Sequence, residues 1–216
     1  MLPEDLKTKG WASVPGVDTR EQMLSLAKSL GRPTESDDGH LVKMLEPLDS
    51  NKARSNSLSS YHGLGAFPLH TDTAFWPEPC RYLVLRVLGD NRRVTTVVTF
   101  DIFFKRAILG AHSLADQSVW LLRTGRKKFY CSMHFSSRYG KGWRYDPLCM
   151  LPVNRSANTI SREMHSLAHS GGIGFPINWE HGTAVVIDNW MALHGRGDSP
   201  ANEGARVLER IYVSAQ

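Results

Sequence analysis

The feature that most constrains the fold is a succession of short β-rich segments separated by glycine- and proline-bearing loops. Segments 41–45, 81–87, 95–100, 128–131, 183–187 and 206–213 carry the β-branched, aliphatic and aromatic residues that suit a pleated, half-buried surface. Loops such as 62–65 and 195–204 punctuate them. Two interior stretches, near 101–110 and 158–169, read as helices. A third helix is expected at about 19–31. Thr19 and Gln22 form a capping box, Met23, Leu24, Ala27 and Leu30 fall on one face, and Gly31 and Pro33 stop the run. Many short strands with few helices predict a mainly β chain with flanking helices, a barrel or jelly roll, with helix 19–31 packed outside the β core.

At 216 residues the chain fits one domain, 1–216, and with 41% hydrophobic and 22% charged residues it is neither disordered nor coiled-coil. It contains no apolar run long enough to span a membrane, and its start lacks an apolar signal region. Three widely spaced cysteines, Cys80, Cys131 and Cys149, match neither a disulfide framework nor a zinc knuckle, and they suit a reducing cytoplasm. The net charge of +5 is compatible with nucleic acid or with small anions. The densest basic stretch, 123–128, reads as a solvated turn between two β segments and lacks the interleaved aromatics of a single-strand-binding groove. The expected partner is a small molecule, with no role for nucleic acid or membrane.

The most informative local sequence is Phe67-Pro-Leu-His70-Thr71-Asp72-Thr73-Ala-Phe-Trp76. In a strand, residues two apart project to one face, so His70 and Asp72 are expected to aim at a common point. An imidazole and a carboxylate supply two of the three ligands of the facial triad that non-haem iron sites use. For the third, His194 stands out among nine histidines. A β run leads to a turn at Asp188-Asn189, and the chain then extends through His194 into a glycine-punctuated loop at the expected barrel rim. Arg206 and Arg210 follow in the terminal β segment at even spacing, hence on one face. Two arginines on one face repel unless anions compensate them, so they mark either a carboxylate-binding pocket or a solvated surface.

Together, His70-x-Asp72, the late His194 and the following Arg206 and Arg210 resemble the TauD/TfdA-like, taurine-dioxygenase-like family of Fe(II)- and 2-oxoglutarate-dependent dioxygenases. The resemblance rests on His-Thr-Asp-Thr-Ala-Phe-Trp-Pro-x-Pro-x-Arg-Tyr at 70–82 and Ile-Asp-Asn-x-x-x-Leu-His-Gly-Arg at 187–196, and covers about 58–213. It implies a double-stranded β-helix (a cupin-like jelly roll) with iron held by His70, Asp72 and His194. It implies that Arg206 and Thr96 grip the distal carboxylate of 2-oxoglutarate, with Arg210 near its other carboxylate and the substrate. The implied reaction consumes O2 and oxidises, most simply hydroxylates, an unactivated C–H of a small anionic or amino-acid-like substrate, releasing succinate and carbon dioxide.

Substrate contacts are expected from Tyr61, His62, Phe75, Trp76 and Arg144, and support for the metal-bound imidazoles from Asp188 and Asn189. Ala66 stands four residues before His70, where taurine-binding members carry Asn, which argues against taurine. Asp72 itself argues against halogenating relatives, which replace it by a small residue. The rival readings are a metal-dependent hydrolase on the same site and a non-catalytic β-barrel binding protein.

Overall fold

The computed structural model describes residues 3–46, 48–53, 57–89, 93–170, 172–197 and 207–216. The first third holds α1 (Glu4–Lys9), β1 (Trp11–Pro15), α2 (Arg20–Leu30), β2 (Arg32–Thr34), β3 (Lys43–Leu45), α3 (Leu58–His62) and β4 (Phe67–His70). The middle holds β5 (Tyr82–Val87), β6 (Thr95–Thr99), α4 (Phe100–Arg106), α5 (Ala111–Asp116), β7 (Val119–Arg123), β8 (Lys128–Ser132), β9 (His134–Ser137) and β10 (Gly140–Trp143). The last third holds β11 (Met150–Pro152), α6 (Arg155–Ser170), β12 (Phe175–Ile177), β13 (Thr183–Asp188), β14 (Ala192–Arg196) and β15 (Leu208–Ser214).

Two antiparallel sheets face each other. The larger runs β1-β13-β5-β15-β2, with β3 also on β15, and the smaller runs β12-β6-β14-β4. Leu83, Leu85, Val185 and Ile187 of the larger sheet meet Val97, Ile177 and Ala192 of the smaller one in a core between them. This is the jelly roll that the sequence pattern predicts. The outer face of the large sheet is closed by α1 and α2, whose Leu6, Met23 and Ala27 cover Val84, Val186, Ile211 and Val213. The outer face of the small sheet carries Leu69, Val98 and Leu193, buried beneath Phe103, Trp120 and Ile160 from α4, β7 and α6. Strands such as β5 and β13 are thus covered on both sides, which is why they read as near-continuous apolar runs.

Helix α2 starts as its sequence dictates. The Gln22 amide donates to Thr19 Oγ1 at 3.2 Å while Gln22 Oε1 accepts from the Thr19 amide at 2.9 Å. The stretch expected as a helix at 101–110 holds α4 only as far as Arg106, and a further short helix, α5, starts after Gly110, whose φ of 82° is left-handed. Helix α6 begins three residues earlier than its apolar pattern, because Asn154 Oδ1 accepts from the Ala157 amide at 2.9 Å. The three cysteines are free. No helix of the described residues is long and apolar enough to cross a membrane.

Candidate metal centre

Strands β4 and β14 are neighbours in the small sheet, and their register sets His70 directly opposite His194. The two imidazoles lie with centroids 4.4 Å apart. His194 is therefore not at a barrel rim; it sits in an interior strand, between β4 and β6. Asp72 is not in a strand with His70 either. Strand β4 ends at His70, and the chain turns through Thr73, whose φ of 55° is left-handed. The turn, rather than strand alternation, swings the Asp72 carboxylate back towards both rings. Its Oδ1 lies 3.5 Å from His70 Nε2 and 3.8 Å from His194 Nε2. One donor atom from each residue falls within 4.8 Å of the others. Donors that each sit about 2 Å from a shared ion lie roughly 3–4 Å apart, so two imidazoles and a carboxylate fit a divalent iron.

Each donor is aimed by its neighbours. His70 Nδ1 sits 2.8 Å from the Pro68 carbonyl, which fixes that nitrogen as an N–H donor and leaves Nε2 as the atom facing Asp72. Asp72 gives its other oxygen, Oδ2, to Arg210 Nη1 at 2.9 Å. Burial opposes ionisation of Asp72, yet the Arg210 guanidinium and the two imidazoles hold its carboxyl well below its ordinary range. Asn189 supports this residue through the backbone. Its Oδ1 accepts from the Asp72 amide at 2.8 Å, and its Nδ2 donates to the carbonyls of Asp72 (2.9 Å) and Cys80 (3.0 Å). The expectation that Asp188 and Asn189 would hold the imidazoles is therefore corrected. Asn189 fastens the Asp72 peptide, and Asp188 accepts from Arg81 and from the Trp190 amide.

The triad opens into a cavity of about 1410 Å³ between the sheets. Tyr61, Phe75, Trp76 and Arg210, four of the residues expected to contact substrate or cosubstrate, are in its lining. Trp76 is steadied by Asp37, which accepts from its indole at 3.3 Å. Arg210 stacks 4.1 Å over Tyr212, and its Nε is buried without a hydrogen-bond partner among the described residues. Arg206 lies outside the described residues.

Three expectations are corrected. Thr96 packs on the far face of β6, against Gly174, where a Cβ would come within 2.4 Å of its methyl; Thr95 is the hydroxyl lining the cavity. His62 is exposed, tilted against Phe67, and absent from the cavity wall. Arg144 is buried away from the cavity. It donates to the carbonyls of Ala74 (3.0 Å), Trp76 (2.8 Å) and Pro77 (2.9 Å), so it pins the loop that follows Asp72 and holds Phe75 and Trp76 in place.

Two further charged residues stand in the cavity wall. Arg196 donates to the carbonyls of Gly63 (2.7 Å) and Gly65 (2.6 Å) and lies over Phe67, anchoring the glycine-rich loop; burial, aided by Arg93, pushes its pKa down to about 10. Asp146 lines the cavity, and burial raises its pKa despite the attraction of His70. In sequence it belongs to the segment 144–146, expected to shape substrate choice.

The fold and site together define a jelly roll with two imidazoles and one carboxylate converging inside it. No family model matches the chain, and no curated protein matches it in sequence. Among solved structures, asparagine oxygenase in complex with Fe(II), 2S,3S-3-hydroxyasparagine and succinate superposes with a TM-score of 0.76 at 15% identity, over 97% of this chain and 76% of that one. Non-heme iron oxygenase OrfP in complex with Fe, succinate and (3S)-hydroxy-L-Arg superposes with a TM-score of 0.72 at 20% identity, over 100% and 82%. At these identities the likeness establishes the shared fold.

Proposed function

We propose that the protein is an Fe(II)- and 2-oxoglutarate-dependent oxygenase that hydroxylates a C–H bond of a small, amino-acid-like substrate. The observation that carries this reading is the convergence of His70, Asp72 and His194 at the head of a cavity that also presents Arg210. The oxygenases with which the chain shares its fold carry bound iron, succinate and hydroxylated amino acids, which supports the substrate class.

His70, Asp72 and His194 would hold the iron, which with 2-oxoglutarate supplies the oxidising power for converting C–H to C–OH. The chain's own residues do the rest. The Pro68 carbonyl fixes the N–H on His70 Nδ1 and so makes Nε2 the nitrogen that would serve as the metal donor. Arg210 engages Asp72 Oδ2 and so leaves Oδ1 as the donor oxygen between the imidazoles. The buried Arg210 Nε and the Thr95 hydroxyl, with Arg206 from the terminal segment, are the groups we assign to anion binding in the cavity. Leu83 and Leu85 give the same cavity an apolar wall.

The test is an anaerobic titration of metal-free protein with Fe(II) and then 2-oxoglutarate, followed by oxygen and a panel of free amino acids with succinate release as the readout. A weak visible charge-transfer band is expected, absent in His70→Ala and requiring more 2-oxoglutarate in Arg206→Ala. Iron binding without a band would overturn the reading in favour of a hydrolase, and no iron binding would leave a binding protein.

A further inference from the structure

The basic stretch 123–128 is the exposed turn between two β segments that the sequence predicts, and it stands beside the metal centre. It forms the tip of the β7–β8 hairpin, and Arg123, Arg126 and Lys127 line the same cavity as the metal triad. The tip is preorganised. The Thr124 amide donates to the Lys127 carbonyl at 2.8 Å, and Thr124 Oγ1 accepts from the Lys127 amide at 3.0 Å. Lys127 Nζ lies 6.0 Å from the centre of the Phe75 ring, which places the tip against the loop that carries Asp72.

These cations are uncompensated. Elsewhere in the lining Lys43 is bound to Asp38 and Arg210 to Asp72. Arg123, Arg126 and Lys127 make no ion pair among the described residues. The register even sets Arg123 directly opposite Lys128, and like charges in facing positions destabilise a hairpin. A rigid turn that gathers two guanidinium forks and an ammonium at the mouth of a binding cavity is suited to an anion of more than one charge.

We infer that the β7–β8 tip is a substrate-binding subsite for a dianionic group, a phosphate ester or a dicarboxylate, carried by the substrate at the end remote from the oxidised carbon. The word substrate rests on the oxygenase reading; the anion site does not. Calorimetric titrations with inorganic phosphate and with malonate at low salt test it, since these probes separate the two dianion chemistries. The Arg123→Gln, Arg126→Gln, Lys127→Gln combination is compared with Lys105→Gln, Lys141→Gln, Arg155→Gln, which removes the same charge from exposed positions outside the cavity.

One or both probes should bind the wild type saturably. The tip variant should lose about tenfold in affinity and the control less than about twofold. Arg126→Glu alone, at an exposed turn position, gives a second reading should the triple variant fold poorly. Equal losses in tip and control variants, or no saturable binding of either probe, would overturn the inference, as would binding confined to a DNA oligonucleotide. Each titration is run on metal-free protein and repeated with Fe(II) and 2-oxoglutarate. A missing charge-transfer band then sinks the oxygenase reading while leaving the anion result standing, and the reverse holds equally.

Discussion

Asn189 contributes no atom to the metal centre, yet it decides where Asp72 sits. One side-chain amide satisfies the Asp72 N–H, the Asp72 C=O and the Cys80 C=O, and Asn189 itself is fully buried. Asn189→Ala would strand those backbone groups at a cost of about 2–4 kcal/mol. It should also weaken Fe(II) binding by about 10–100-fold. Urea unfolding and an anaerobic iron titration check the two effects, and unchanged iron affinity would refute the positioning role. The roles of Asn189 and Arg144 were illegible in the sequence for one reason: their partners are backbone carbonyls and amides, which leave no trace in residue identity. His70, Asp72 and His194 were legible because side-chain chemistry of that kind, in that order, is itself the signal. Arg144 was misread because a cation near a substrate loop looks the same whether it faces the ligand or the main chain.

At the scale of elements, β4 and β14 must approach closely for the two histidines to meet. Gly195 makes this possible, since a Cβ there would lie 2.9 Å from the Phe67 carbonyl oxygen. Gly195→Ala is expected to destabilise the protein by about 1–3 kcal/mol and to lower iron affinity as the strands part, measured by thermal unfolding and the same titration. Thr19→Ala is the contrasting case. It removes the cap of α2, costs about 1 kcal/mol, and leaves iron binding unchanged, because α2 lies on the outer face of the large sheet. Local rules made that capping box readable. Strand parity was harder: the β-rich run around Thr96 announced a strand, but which face met the cavity depended on where pairing with β12 and β14 began, and the inward hydroxyl proved to be Thr95. Strands of three or four residues, such as β9 to β12, carry too few positions to show a period.

Across the whole molecule, the outer layer is tied to the large sheet by a buried carboxylate. Glu209 on β15 accepts from Arg20 of α2 at 2.9 and 2.5 Å and from Arg86 of β5 at 3.2 and 2.5 Å. Burial opposes its charge, yet the two guanidinium groups hold its pKa below the ordinary 4.5. A depressed carboxyl stabilises the fold fully above its unfolded value, and the contribution fades as pH falls through the lower folded value. Glu209→Gln should therefore cost about 3 kcal/mol near neutrality and flatten the acid side of the stability curve. Urea midpoints at pH 7 and in the acid range check this; parallel curves for variant and wild type would contradict it. The pairing joins residues 189 positions apart, so no window of sequence could reveal it.

Among the described residues the small sheet ends at β4, an edge strand with β14 beside it, and the proposed ligand sphere takes one donor from β4, one from the turn after it and one from β14. Iron bound there would act as a staple across the last seam of the sheet. Loading the protein should then raise its melting temperature with metal concentration and slow amide exchange in β4 more than in β5. The occupancy of the centre would be written into the rigidity of one strand, readable without any substrate in hand.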